Sequence, residues 1–232
     1  MSPQTSSKAP LAGIRVIDFT TVIAGPYCTR LLADCGAEVI KIETDVGDQI
    51  RHVPPISDGA SSYFGHLNAG KKSIVLDLRS DAGLAAAKKL VATADVVVEN
   101  FRPGVMGRLG LDYATLAAGH EDLIYCAISG FGQTGPRATE PAYAPVVQAG
   151  SGLDLAQMGY QAELTKPETC GIFTADVMAA IYAFGAIQTG LISKLRHGVG
   201  QFIDVALMDA IISLLIYEVQ LAQFPDTPPR IL

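Results

Sequence analysis

Apolar residues gather in five short runs: Gly13-Ile-Arg-Val-Ile-Asp-Phe19, Ala37-Glu-Val-Ile-Lys-Ile-Glu43, Ser73-Ile-Val-Leu-Asp77, Asp95-Val-Val-Val-Glu99 and Leu123-Ile-Tyr-Cys-Ala-Ile128. Near-continuous apolar stretches of this length read as strands buried on both faces, as in a parallel sheet. Segments of helical character lie between them. Tyr27 to Ala33 follows Pro26, which suits a first turn, and Gly36 stops it. Asp81 to Thr93 places Leu84, Ala87, Lys88 and Val91 at helical spacing. Thr44 to Gly59 is polar and Pro-rich and is expected to be a loop. Beyond Pro141 the pattern turns mainly helical. A long apolar helix is expected from about Phe173 to Arg196, closed by Gly198, followed by a strand over Gln201 to Leu207 and an amphipathic helix over Asp209 to Gln223. Strand and helix alternating at this spacing predict an α/β fold, with a mostly parallel sheet and helices on both faces.

Composition agrees with a packed domain and narrows its partners. The chain has 232 residues, 49% hydrophobic and 17% charged, enough for one sizeable core. Its expected organisation is a tail over 1–10, one large domain over 11–224 and linker-like sequence over 225–232. The net charge of −6, with no long run of Lys or Arg, argues against a nucleic-acid partner. An anionic ligand would have to be held by a local cluster of donors. Val177 to Ile192 is apolar but short for a membrane span and contains Gln188 and Thr189, so a buried helix and no membrane partner are expected. The opening residues lack an apolar core and arginines, which points to a cytoplasmic location. Cys28, Cys35, Cys126 and Cys170 form no C-x-x-C pair and have no His at zinc-ligand spacing. Reduced core thiols and no metal are expected.

Three features bear on chemistry. Gly130-Phe-Gly132-Gln-Thr-Gly135 matches G-x-G-x-x-G after a strand, but Pro136 follows and no helix opens there. The dinucleotide motif needs that helix. Asp176 falls at the start of the long apolar helix. Acids favour a helix's first turn through its dipole and free N–H groups. A nucleophilic role would need apolar walls around a poorly solvated carboxylate, and Phe173, Val177 and Met178 are placed to supply them. Spacing leaves both explanations open. Lys71, Lys72, Arg79 and Arg108 lie near strand ends, where an open α/β sheet binds ligands and where phosphates require donors. The four histidines are scattered and no G-x-S-x-G exists, so a hydrolase triad has little support.

In series, a set of motifs resembles the class III CoA-transferases, a family that includes formyl-CoA and carnitine-type CoA-transferases and has α-methylacyl-CoA racemase as a relative. The stretches that carry the resemblance are Leu11-Ala-Gly-Ile-Arg-Val-Ile-Asp-Phe19, Ala24-Gly25-Pro26, Gly36 to Glu43, Asn68-Ala-Gly-Lys-Lys-Ser-Ile-Val-Leu-Asp77, Val98-Glu-Asn-Phe-Arg-Pro-Gly104, Leu109-Gly110, Ser129 to Pro136, Gly198-Val-Gly-Gln201 and Asp209-Ala210. The resemblance implies a Rossmann-like large domain that binds coenzyme A or acyl-CoA as a substrate, with no permanently bound cofactor. It implies Asp176 as the nucleophile, forming an aspartyl-CoA intermediate. It places Ala24, Leu76, Arg79, Asn100, Phe101 and Arg108 at CoA contacts, and Gly130, Phe131 and Tyr143 at the oxyanion or acyl pocket.

Departures from the family pattern sharpen the expectation. Ile23 replaces the Gln of formyl-CoA transferase, and Ser129 and Thr44 replace its Lys and Arg, which argues against formyl transfer. Tyr143 stands where the racemase branch has a catalytic His, which argues against racemisation. Tyr143-Ala-Pro-Val146 is similar to members handling dicarboxylic acyl groups. Family chains continue into a second domain and interlock as dimers. A homodimer or a partner subunit supplying that domain is therefore expected; a non-catalytic CoA-binding half is one rival reading and an acyl-CoA racemase is another.

Overall fold

The computed structural model describes residues 9–159, 161 and 163–224. The first eight residues of the expected tail and the expected linker over 225–232 lie outside the described residues.

In chain order the strands are β1 (Arg15–Asp18), β2 (Glu38–Glu43), β3 (Ile56–Ser57), β4 (Ala60–Ser61), β5 (Lys72–Val75), β6 (Val96–Glu99), β7 (Ile124–Ser129) and β8 (Gln201–Ala206). β3 and β4 form a small antiparallel hairpin of their own. The other six build one sheet in the order β5-β2-β1-β6-β7-β8, with every pair parallel. Counted by appearance, the order is third, second, first, fourth, fifth, sixth: the doubly wound arrangement. Its direction of winding reverses between β1 and β6, and ligands of such sheets bind beyond the strands' carboxyl ends at that point.

The helices are α1 (Ala24–Asp34), α2 (Ser62–Asn68), α3 (Asp81–Val91), α4 (Val105–Arg108), α5 (Tyr113–Ala117), α6 (Ala144–Ser151), α7 (Leu153–Met158), α8 (Thr174–His197), α9 (Leu207–Ile212) and α10 (Ile216–Gln223). Alternation along β7 shows why both sheet faces must be covered. Ile124, Cys126 and Ile128 pack with Leu32 of α1 and with Ala179, Ala183 and Ile187 of α8. Tyr125 and Ala127 face the opposite core, with Ala87 and Val91 of α3 and Met106 of α4.

α8 is the central strut. It buries Ala175, Ala179, Ala180, Ala183, Ile187, Gly190 and Leu191. A Cβ on Gly190 would meet Ile124 at 3.2 Å, so the small stripe lets helix and sheet approach closely. Gly198, left-handed at φ 69°, ends the helix. Length and composition alone would let α8 cross a bilayer, but here this stripe packs into the core.

Two segments differ from expectation. The single helix expected over Asp209 to Gln223 is two, because the backbone leaves the helical path at Leu215 (φ −91°, ψ 45°). Ser213 Oγ donates to Ala210 O at 2.7 Å and Leu215 turns into the core. The polar loop after β2 contains a 3₁₀ turn over Gln49–His52, capped by the buried Asp48, whose side chain accepts from Ile50 N–H.

Candidate active site

The β1–α1 turn is fixed first by buried charge. Asp18, at the end of β1, is fully buried; its carboxylate accepts from Thr29 Oγ1 at 2.7 Å and Lys71 Nζ at 3.0 Å. Lys41 Nζ donates to Thr20 O at 2.6 Å and pairs with the buried Asp48 at 3.1 Å. Burial opposes ionisation of Asp18, but the Lys71 and Lys41 charges, with hydroxyls of Thr20 and Thr29, prevail and hold it at about 2. Burial pulls Lys71 below its ordinary value, with Asp18 opposing. Asn100, just past β6, ties the turn from the other side: Thr21 N–H donates to Oδ1 at 2.9 Å and Nδ2 donates to Thr21 O at 2.8 Å. Held this way, α1 opens at Ala24.

Above these strand ends, at the winding reversal, lies a cavity of about 190 Å³. Ala24, Asn100, Phe101, Gly130, Tyr143 and Asp176 all line it, together with Arg102 and Glu140. Residues far apart in sequence thus meet at one crevice. Asp176 enters from the first turn of α8, with the start of α1 facing it. Burial raises its carboxyl to about 6, while the N–H groups of Ala24 and of Asp176 itself favour the charged form. A carboxylate in this state is poorly hydrated yet still available at neutral pH, as a nucleophile requires.

The glycine turn forms another wall. A side chain on Gly130 would collide with Ala142 Cβ, so the close passage of the two loops requires glycine. Gly132 and Gly135 take φ of 84° and 93°, and Asp204 fastens the turn by accepting from Gln133 N–H at 2.9 Å. The next helix, α6, begins only at Ala144, so the turn lacks the helix that a dinucleotide motif demands.

Other expected site residues stand apart from the cavity. Phe131 does not line it; the Arg137 guanidinium covers its ring at 4.1 Å. Leu76 packs half-buried on the second core. Arg79 is exposed and pairs with Asp77 at 3.1 Å. Arg108 is exposed at the end of α4. Lys71 is not a free phosphate donor, because it is locked to Asp18, and Lys72 pairs with Glu38 at 2.6 Å.

Sequence reasoning missed several groups. Lys41 inside an apolar strand and Asp18 at a strand's end were the available signals for the buried charge network. Arg102 follows Asn100-Phe101 directly, and among the described residues its side chain has no hydrogen-bond or ion-pair partner. Glu99, under that loop, is raised to about 7 by burial, with Phe101 N–H opposing and Asp204 adding to the rise.

The fold and cavity define an α/β protein with a switch-point crevice into which the half-buried Asp176 carboxylate opens. The chain belongs to CoA-transferase family III, whose family model matches residues 11–230. It is 43% identical over 218 residues to a succinate–glutarate CoA-transferase of Agrobacterium fabrum, covering 90% of this chain and 54% of that one. An acetyl-CoA:oxalate CoA-transferase of Acetobacter aceti is 42% identical, covering 90% and 53%. The human succinyl-CoA:glutarate CoA-transferase is 38% identical, covering 89% and 47%. A crystal structure of a CAIB/BAIF family protein from Brucella suis superposes with a TM-score of 0.86 at 36% identity, covering 97% of this chain and 60% of that one. The chain spans about half the length of the curated relatives it matches.

Proposed function

We propose that this chain carries the CoA-exchange centre of a CoA-transferase acting on dicarboxylic acyl groups, with Asp176 as nucleophile. The supporting observation is Asp176 itself: a half-buried carboxyl raised to about 6, in a cavity shared with Ala24, Asn100, Phe101 and Gly130. The Asp176 oxygen attacks the thioester carbonyl carbon; the C–S bond breaks, leaving a mixed anhydride and free CoA thiolate. The thiolate attacks the Asp176 carbonyl of the anhydride and expels the first carboxylate, which departs with one Asp176 oxygen. The enzyme is left as an aspartyl-CoA thioester. An acceptor carboxylate then attacks that carbonyl, and the same two steps in reverse yield the new acyl-CoA and restore Asp176. Covalent relay replaces one difficult exchange by steps of lower barrier. N–H groups around Gly130 and at the start of α1 suit the developing oxyanions.

Arg102 supports the dicarboxylic class. It lines the cavity unpaired among the described residues, and a guanidinium suits a second carboxylate on the acyl chain. Relatives named for succinate, glutarate and mesaconate agree with this reading. The coverage of about half of those relatives favours a second reading, in which this chain is the CoA-binding half of a site completed by another chain. Self-association or such a partner belongs to the same proposal, as do the CoA contacts at Leu76, Arg79 and Arg108.

The mechanism is tested with ¹⁸O-glutarate as acceptor and succinyl-CoA as donor. Label is expected in the peptide containing Asp176 after turnover. Transfer to glutaryl-CoA without label in that peptide would exclude the aspartyl route. CoA binding with no turnover would favour the half-site reading.

A further inference from the structure

We infer that Gln148 is a positioning residue for Asp176: its side-chain carbonyl caps the helix that bears the carboxylate and fixes where that helix begins. The inference deepens the proposed function and rests on Asp176 being its nucleophile.

The N-cap position of α8 supplies no cap, since Phe173 stands there and makes no side-chain cap bond. The first N–H groups of a helix need outside acceptors. Gln148 supplies one from α6: fully buried, it accepts from Ala175 N–H through Oε1 at 3.4 Å. Ala175 is the residue immediately before Asp176. Only the carboxamide oxygen can accept from an N–H, so the orientation of Gln148 is set. Its Nε2 is then left buried with no partner among the described residues.

That orphaned amide makes the choice of residue informative. A half-satisfied carboxamide is costly to bury, and an apolar side chain of similar size would fill the space without the penalty. Such tolerated costs point to function. α6 is well placed to transmit it, because the same helix begins at Ala144, directly after Tyr143 of the cavity wall, and packs along α8. Gln148 therefore couples the acyl-pocket wall to the helix start that aims Asp176.

The test compares Gln148→Met, which keeps the volume and removes the acceptor, with Gln148→Glu, which keeps an acceptor in either protonation state. The Asp176 titration is followed by ¹³C-carboxyl NMR, the rate of CoA-adduct formation from succinyl-CoA by mass spectrometry, and CoA affinity by calorimetry. Titratable neighbours of the α8 start are Tyr27, Tyr63, His66, Arg102, Glu140 and Tyr143. Asp209 is the titratable residue of the adjoining α9. All are unchanged in both variants.

Gln148→Met is expected to move the Asp176 midpoint down, because an Ala175 N–H freed of its acceptor favours the neighbouring carboxylate. It is expected to slow adduct formation about tenfold, the scale of a lost cap, with CoA affinity unchanged. Gln148→Glu should stay within about threefold of wild type on the high-pH plateau, since its acceptor survives. A Met variant with wild-type midpoint and rate would overturn the inference, as would equal slowing in both variants. A wild-type protein that forms no adduct, while Gln148→Met still moves the midpoint, would sink the nucleophile reading and leave the positioning role standing.

Discussion

At the scale of single residues, the proposed chemistry depends on a carboxyl held between two opposing influences. Burial pushes Asp176 from 3.8 to about 6, and the N–H groups of Ala24 and Asp176 pull the other way. Because the folded value lies above the unfolded one, the ionised form penalises folding. The penalty is absent below about pH 4, grows through that interval and is complete above about pH 6. Asp176→Asn should therefore raise the melting temperature at pH 8, by up to about 3 kcal/mol of stability, with the gain vanishing near pH 4. A gain that is equal at both pH values would show that titration is not its source. Activity should move the opposite way with pH, rising as Asp176 ionises near 6. Arg102 gives a test of substrate class. Arg102→Met should cost roughly 2 kcal/mol, about thirtyfold, in the KM for succinyl-CoA but little for butyryl-CoA, which lacks the distal carboxylate. Equal losses for both would reassign Arg102 to the CoA moiety.

At the scale of elements, the site is a meeting of helix starts over strand ends. Asp18, Lys71, Lys41 and Asp48 brace the turn that launches α1, and burial makes each dependent on its partner. Lys71→Met should destabilise the fold by about 3–5 kcal/mol, because it strands the Asp18 charge. Urea denaturation measures this; a loss below about 1 kcal/mol would mean that solvent reaches Asp18. Gly25 is equally constrained, since a Cβ there would strike the Thr20 side chain. Gly25→Ala should displace the start of α1 and weaken both stability and exchange. This bracing was poorly legible in sequence. Six strands and the long helix stood out because apolar runs and the Gly198 stop are local signals. The Lys41–Asp48 pair depends on a loop folding back over β2, and the break before α10 depends on Leu215 finding the core. Neither leaves a periodic trace. The four-residue α4 and five-residue α5 are likewise too short for one.

For the whole molecule, the doubly wound strand order explains why residues from 24 to 176 converge on one crevice: reversal of winding opens the space between β1 and β6. Motif order along the chain named the family and pointed to Asp176, Ala24, Asn100, Phe101, Gly130 and Tyr143, which the cavity brings together. Leu76, Arg79, Arg108 and Phe131 lie outside it: Leu76 packs against the second core, Arg79 pairs with Asp77, Arg108 is exposed at the end of α4, and Phe131 lies under the Arg137 guanidinium. The far side of α8 and its neighbours exposes Ile181, Ile192, Leu195, Ile212, Leu214 and Ile216. Apolar side chains gathered in this way favour association. Light scattering at tens of micromolar should give a mass above the monomer, and a strictly monomeric mass would contradict that expectation.

The most direct measurement is the intact mass of the protein after brief mixing with succinyl-CoA. An adduct of the mass of CoA less one water, present in the wild type and absent in an Asp176→Asn protein that still binds CoA, is the predicted result. An adduct of unchanged yield in Asp176→Asn would contradict the assignment of Asp176 as nucleophile.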